Sequence, residues 1–197
     1  MRRVLVFSSI VLLCAVGLRA DDALTKADAT RFRVKLAQIE KNAATPAKRA
    51  ARVTPISDAE LNSYLRFLAG DQVPVGIAEP ILHSAGDGRV TGHAVVDLDA
   101  VRTQKKRTWS DPLAYLSGRL PVAVQGTLTT ANGVGRFALE SAEISGVTVP
   151  KSLLQELLTY YSKSPERPNG ISMDDPFQLP SAIKEIKVGV GTATVVQ

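Results

Sequence analysis

The sequence predicts an α+β fold, a curved antiparallel sheet of hairpins with helices packed on one face, and three observations carry that expectation. Apolar and polar residues alternate on both sides of Asp87-Gly88 and of Asn132-Gly133, dipeptides that accept the positive φ angles of tight hairpin turns. Apolar positions three and four residues apart mark helices ahead of and between these strand pairs. The order is helix and hairpin, short helix and hairpin, helix and hairpin, with too little identity between the units to make a repeat.

The chain begins MRRVLVFSSIVLLCAVGLRADD: Arg2 and Arg3, an apolar run from Val4 to about Val16, small residues, then two acids. That is the layout of a secretory signal peptide over residues 1–20. The competing anchor reading needs roughly 20 apolar residues to cross a bilayer, more than this run supplies. Cleavage is expected after Ala20, with Ala15-Val16-Gly17 as a second site; Cys14 follows Leu13, not the small residue a lipidation signal prefers.

Losing Arg2, Arg3 and Arg19 takes the 24 basic residues to 21 against 19 acids, a net charge of +2. No concentrated basic face remains to argue for nucleic acid. Cys14 is the one cysteine of the chain, so the exported part uses no disulfide and depends on burial for its stability. The expected location is periplasmic or secreted, with no transmembrane segment after signal cleavage.

From Thr25 to Lys41, Ala29, Phe32, Leu36 and Ile39 form the apolar stripe of an amphipathic helix. An alanine-rich connector with Pro46 follows, so residues 21–52 read as a helical arm and linker ahead of a single α+β domain over 53–197. In PISDAELNSYLRFLAG, Ser57 and Glu60 make a capping box, and Ile56 and Leu61 a hydrophobic staple. A helix over 58–69 follows, with Leu61, Tyr64, Leu65 and Leu68 on one stripe and Gly70 ending it.

The run Val75 to Ser84 pairs through Asp87-Gly88 with a strand carrying Val90, Ala94, Val96, Leu98 and Ala100, and Pro80 predicts an edge or a bulge. Between the hairpins, Ser110 is expected to cap a short helix bearing Leu113 and Leu116; Lys105 to Arg107 read as a solvated connection or an anion patch. The second hairpin turns at Asn132-Gly133, and a short last one turns near Gly189 to Gly191.

Catalytic signatures are missing: there is no G-x-S-x-G elbow, H-E-x-x-H, P-loop or G-x-G-x-x-G opening a helix. His83 and His93, the only histidines, sit on opposite arms of one hairpin without a third ligand in view. Asp97 and Asp99 share a strand face and read as wet surface or as paired acids. The chain is expected to be non-catalytic, with neither metal nor cofactor.

The most apolar helix starts at Pro150, where a missing N–H costs nothing. Leu153, Leu154, Leu157, Leu158 and Tyr161 follow on one wide face. That face reads either as core against the sheet or as the wall of a groove under a curved sheet. ISDAELNSYL, the strand GRVTGHAVVDLDA and SAEISGVTVPKSLLQELLTYY resemble the YpmS-type and LmeA-type domains of bacterial envelope proteins over roughly Pro55 to Val196. The resemblance implies an elongated lipid-binding fold in which Gly146 permits a bend, Pro150 starts the helix, and Leu61, Leu65, Leu153, Leu154, Leu157 and Leu158 line an apolar groove. Tyr161 completes that expected set. The expected function is binding of a phospholipid or fatty acyl ligand between curved sheet and helices; the alternative is an assembly module that meets a protein partner.

Overall fold

Thr25 caps the first helix: its hydroxyl accepts from the Asp28 N–H at 3.0 Å. In the computed structural model, which describes residues 23–45, 51–103, 117–165 and 167–197, this opens α1 (Lys26–Ala44). The expected signal peptide, Cys14, Lys105 to Arg107, Ser110, Leu113 and Leu116 lie outside the described residues. Further on come β1 (Val53–Ser57), α2 (Asp58–Phe67), β2 (Ile77–Gly86), β3 (Arg89–Asp97) and α3 (Leu98–Thr103). The remainder is β4 (Arg119–Ala131), β5 (Val134–Ile144), β6 (Val147–Thr148), α4 (Lys151–Ser162), β7 (Phe177–Gln178), β8 (Glu185–Gly189) and β9 (Thr192–Val196).

The fold is α+β and its sheets are antiparallel. A six-stranded sheet runs β2-β3-β4-β5-β6 with β7 beside β5, and a three-stranded sheet runs β1-β9-β8. Asp87-Gly88 and Asn132-Gly133 turn the two long hairpins with φ of 53°, 80°, 51° and 81°. Ser145-Gly146 makes a third turn of this kind, φ 51° and 77°, between β5 and β6. β2 is an edge strand with an irregularity between Ala78 and Ile81, at Pro80 as its missing donor requires.

The expected strand through Ala100 is corrected: β3 stops at Asp97 and α3 takes Leu98 to Thr103. The reason is local. The Asp97 carboxylate accepts from the Ala100 N–H at 2.9 Å, an N-cap bond that satisfies a free donor at the helix start. Asp99 accepts from the Gly118 N–H at 3.0 Å and pairs with Arg102, so the two acids hold backbone and a neighbouring cation instead of facing each other on a strand.

The smaller sheet sits at the turn end of the larger one. The Thr130 hydroxyl accepts from Ile186 N at 2.7 Å and donates to Ile186 O at 3.0 Å, stitching β4 to β8. The buried cluster here is Ile39 of α1, Ile183 and Val195, with Ile56, Leu179 and Ile186 around it. α1 therefore supplies a residue of the core. Gln197 fastens the same helix, donating to Ile39 O at 2.9 Å and to Ser181 O at 2.7 Å.

The capping box at the start of α2 forms: Glu60 N–H donates to Ser57 Oγ at 3.2 Å and Ser57 N–H to Glu60 Oε2 at 3.0 Å. Such a cap contributes about 1 kcal/mol. The same carboxylate, only 6 % exposed, accepts from Lys35 Nζ at 2.7 and 2.8 Å, tying α1 to α2. Burial pushes the Glu60 carboxyl up, but the Lys35 hydrogen bond, the Ser57 N–H and the charges of Lys35 and Arg31 outweigh it and hold its pKa below the ordinary 4.5.

Candidate functional site

Strand pleating puts alternate residues of β2, β3 and β4 on one face, and the register aligns them in rows. Leu82 faces Gly92 and Gly92 faces Val124; Ala94 faces Val122; Ile77 faces Val96, which faces Leu120. These rows make one side of the sheet apolar. Of the rows between them, two carry polar groups, Thr91 beside Gln125 and Ser141 and His93 beside Ala123 and Glu143, and the third is Ala78, Val95 and Pro121.

The apolar side is only partly covered. Its buried members are small, Gly92, Gly126, Gly135 and Ala142, while Val96, Leu120, Val122, Val124 and Leu128 are half-buried and Leu82 is 38 % exposed. Gly92 keeps the floor low, because a Cβ there would stand 3.2 Å from Val124 Cγ2 and 3.4 Å from Leu82 Cδ2.

Over this floor stand Leu65 of α2 and the Gln72-Val73-Pro74 segment, bordering an open cavity of about 340 Å³ whose walls are nearly all apolar. A second cavity of about 540 Å³ shares Leu65, Val73, Ile77, Pro80 and Ile81 with it and adds Leu24, Arg66, Gly70 and Glu79. The two together form a groove with one apolar part and one part that carries charge. Ligand sites commonly span roughly 300–1,000 Å³ and have this composition.

What sets α2 in this position is polar. Asn62 Nδ2 donates to Leu82 O and Asn62 Oδ1 accepts from Leu82 N–H, both at 2.8 Å. One turn earlier, the Asp58 carboxylate accepts from Ser84 N–H and Ser84 Oγ at 2.6 Å. An i,i+4 pair on a helix rises about 6 Å and an i,i+2 pair on a strand slightly more, so two side chains occupy the free edge of β2 as a further strand would. At Leu82 and Ser84 the edge is thereby closed to other chains. On the other flank, fully buried Ser63 accepts from Thr25 N–H at 3.1 Å.

Of the residues expected in the groove, Leu65 lines both cavities, whereas half-buried Leu61 lines neither. Leu153, Leu154, Leu157, Leu158 and Tyr161 are on α4, which packs against β5 and contributes to neither cavity. Leu153 is 44 % exposed, the other four are half-buried, and no α4 residue is fully buried. Residues 170–175 flank α4: Gln155 donates to Ile171 O at 3.0 Å and accepts from Met173 N–H at 2.7 Å. Lys151 pairs with Asp174 at 2.5 Å. Pro150 stands at the N-cap of α4, one position before its first helical residue.

The floor residues Ile77, Leu82, Val96, Val122 and Val124 were legible as strand positions, but alternation alone does not tell an open sheet face from a covered one. His83 and His93 lie diagonally on the polar face, ring centroids 6.2 Å apart and both exposed. Among the described residues no group of three or more His, Cys, Asp or Glu is placed to hold a metal ion, and no helix is long and apolar enough to cross a membrane. Comparison of the chain with protein families, curated proteins and solved structures gave no match.

Proposed function

We propose that this is an exported envelope protein that binds the acyl part of a lipid, or a similar apolar molecule, between its curved sheet and α2, without catalysis. The observation that supports the reading is the apolar cavity of about 340 Å³ over a floor whose large side chains are half-buried. Covering such a floor gains about 25 cal/mol for each Å² removed from water, and the missing cover is what an acyl chain supplies. The resemblance of ISDAELNSYL and SAEISGVTVPKSLLQELLTYY to YpmS-type and LmeA-type domains points the same way. In this reading the ligand-facing leucine is Leu65, and the signal peptide over residues 1–20 accounts for export.

Native mass spectrometry of the protein recovered from the envelope or medium tests the proposal, together with uptake of a fluorescent fatty acid. Co-purified acyl lipid and saturable uptake are expected. No bound lipid and no uptake would sink it and favour the second reading, an assembly module whose partner covers α4. The exposed Leu153 and Val147 beside a helix with no buried residue favour that second reading.

A further inference from the structure

The larger cavity of the groove carries two charges of opposite sign. Arg66, in the last turn of α2, and Glu79, on the edge strand, both line the larger cavity and both are exposed. Among the described residues neither has an ion-pair or hydrogen-bond partner, and they do not pair with each other. Their neighbours differ in this respect: Asp58, Glu60 and Asn62 of the same helix are all engaged.

Glu79 is also held in an unusual backbone conformation, φ 52°, at the irregularity where β2 leaves its register with β3. Left-handed φ is uncommon for a glutamate, and strained residues of this kind cluster at ligand clamps. An unpaired cation and an unpaired anion thus line the cavity that adjoins the apolar one.

We propose that this larger cavity is a head-group site for a zwitterionic single-chain amphiphile, with Arg66 taking a phosphate and Glu79 a primary ammonium while one acyl chain enters the adjoining apolar cavity. The inference rests on the lipid reading above and adds the chemistry of the head. A guanidinium presents a planar fork that matches phosphate oxygens, and a carboxylate accepts from an ammonium. A purely anionic head would satisfy Arg66 but meet the like charge of Glu79, and a purely cationic head the reverse. The cavity of about 340 Å³ lies near the small end of ligand sites, which favours one chain over two.

The test is displacement of a neutral apolar fluorophore from the intact protein, below micelle-forming concentrations. The competitors are lysophosphatidylethanolamine, lysophosphatidic acid and an alkylamine of equal chain length. The zwitterion is expected to bind about tenfold tighter than either other head, since a charged hydrogen bond is worth about that much. Arg66→Gln should abolish its advantage over the amine, and Glu79→Gln its advantage over the phosphatidic acid. Both variants, changed only at exposed side chains, should retain the wild-type melting temperature. Equal affinity for the three heads, or a preference unchanged in both variants, overturns the head-group site while probe binding keeps the groove. Failure of the wild type to bind the neutral probe overturns both.

Discussion

α2 and α4 carry similar leucine-rich stripes, yet the fold treats them differently. α2 is anchored through its polar residues: Glu60 to Lys35 and Ser57, Ser63 to Thr25, and Asn62 and Asp58 to the edge of β2. Its Leu65 is left facing the groove. α4 has no side-chain cap and no buried residue, and it is held on one flank by Gln155 and Lys151 through residues 170–175. The contrast teaches that an apolar stripe does not by itself decide where a helix lies. Directional bonds to particular backbone groups do so here, because each such group left unpaired on burial costs about 1–3 kcal/mol.

Three predictions break or sharpen this contrast. The largest effect is expected for Asn62→Ala, which removes both bonds to Leu82 and opens the β2 edge. A loss of about 2–4 kcal/mol in chemical denaturation is predicted. An unchanged midpoint would show that α2 is held by its leucines after all.

The second concerns acid. With its folded pKa held below 4.5, Glu60 binds a proton more readily in the unfolded chain. Its contribution to stability is therefore fully present above about pH 4.5 and is lost as pH falls below that value. Glu60→Gln should lower stability at neutral pH and flatten its decline on acidification, as read from urea midpoints across pH 3 to 7. An identical acid slope in both proteins would assign the sensitivity to other carboxylates.

The smallest effect is expected on α4. Leu153→Ala, at an exposed position, should change stability by no more than about 0.5 kcal/mol. Half-buried Leu157→Ala should stay below the roughly 2–5 kcal/mol of a filled core. Losses of several kcal/mol for both would make α4 an ordinary core helix and erase its difference from α2.

Much of this architecture is local chemistry and is legible in the order of residues. The Ser57 and Glu60 capping box, the Asp87-Gly88 and Asn132-Gly133 turns, the irregular edge at Pro80 and the hairpin near Gly189 to Gly191 each depend on contacts within a few residues. Local rules also misled. Leu98 and Ala100 continue the alternation of β3 in sequence, but the Asp97 side chain caps a helix at that point. Of the expected groove only Leu65 faces the cavities, because periodicity tells which side of a helix is apolar and not what stands opposite it.

Residues distant in the chain decided the rest. Asn62 reaches Leu82, Thr130 reaches Ile186 and Gln197 reaches Ile39. A side-chain amide or hydroxyl has no periodic signature, and its partner is a backbone group that any residue type offers. Nothing in the order of residues therefore announces that pairing before the chain has folded. The groove follows from it: polar bonds set α2 along the edge of β2, and the large residues of the sheet face remain half open beside it.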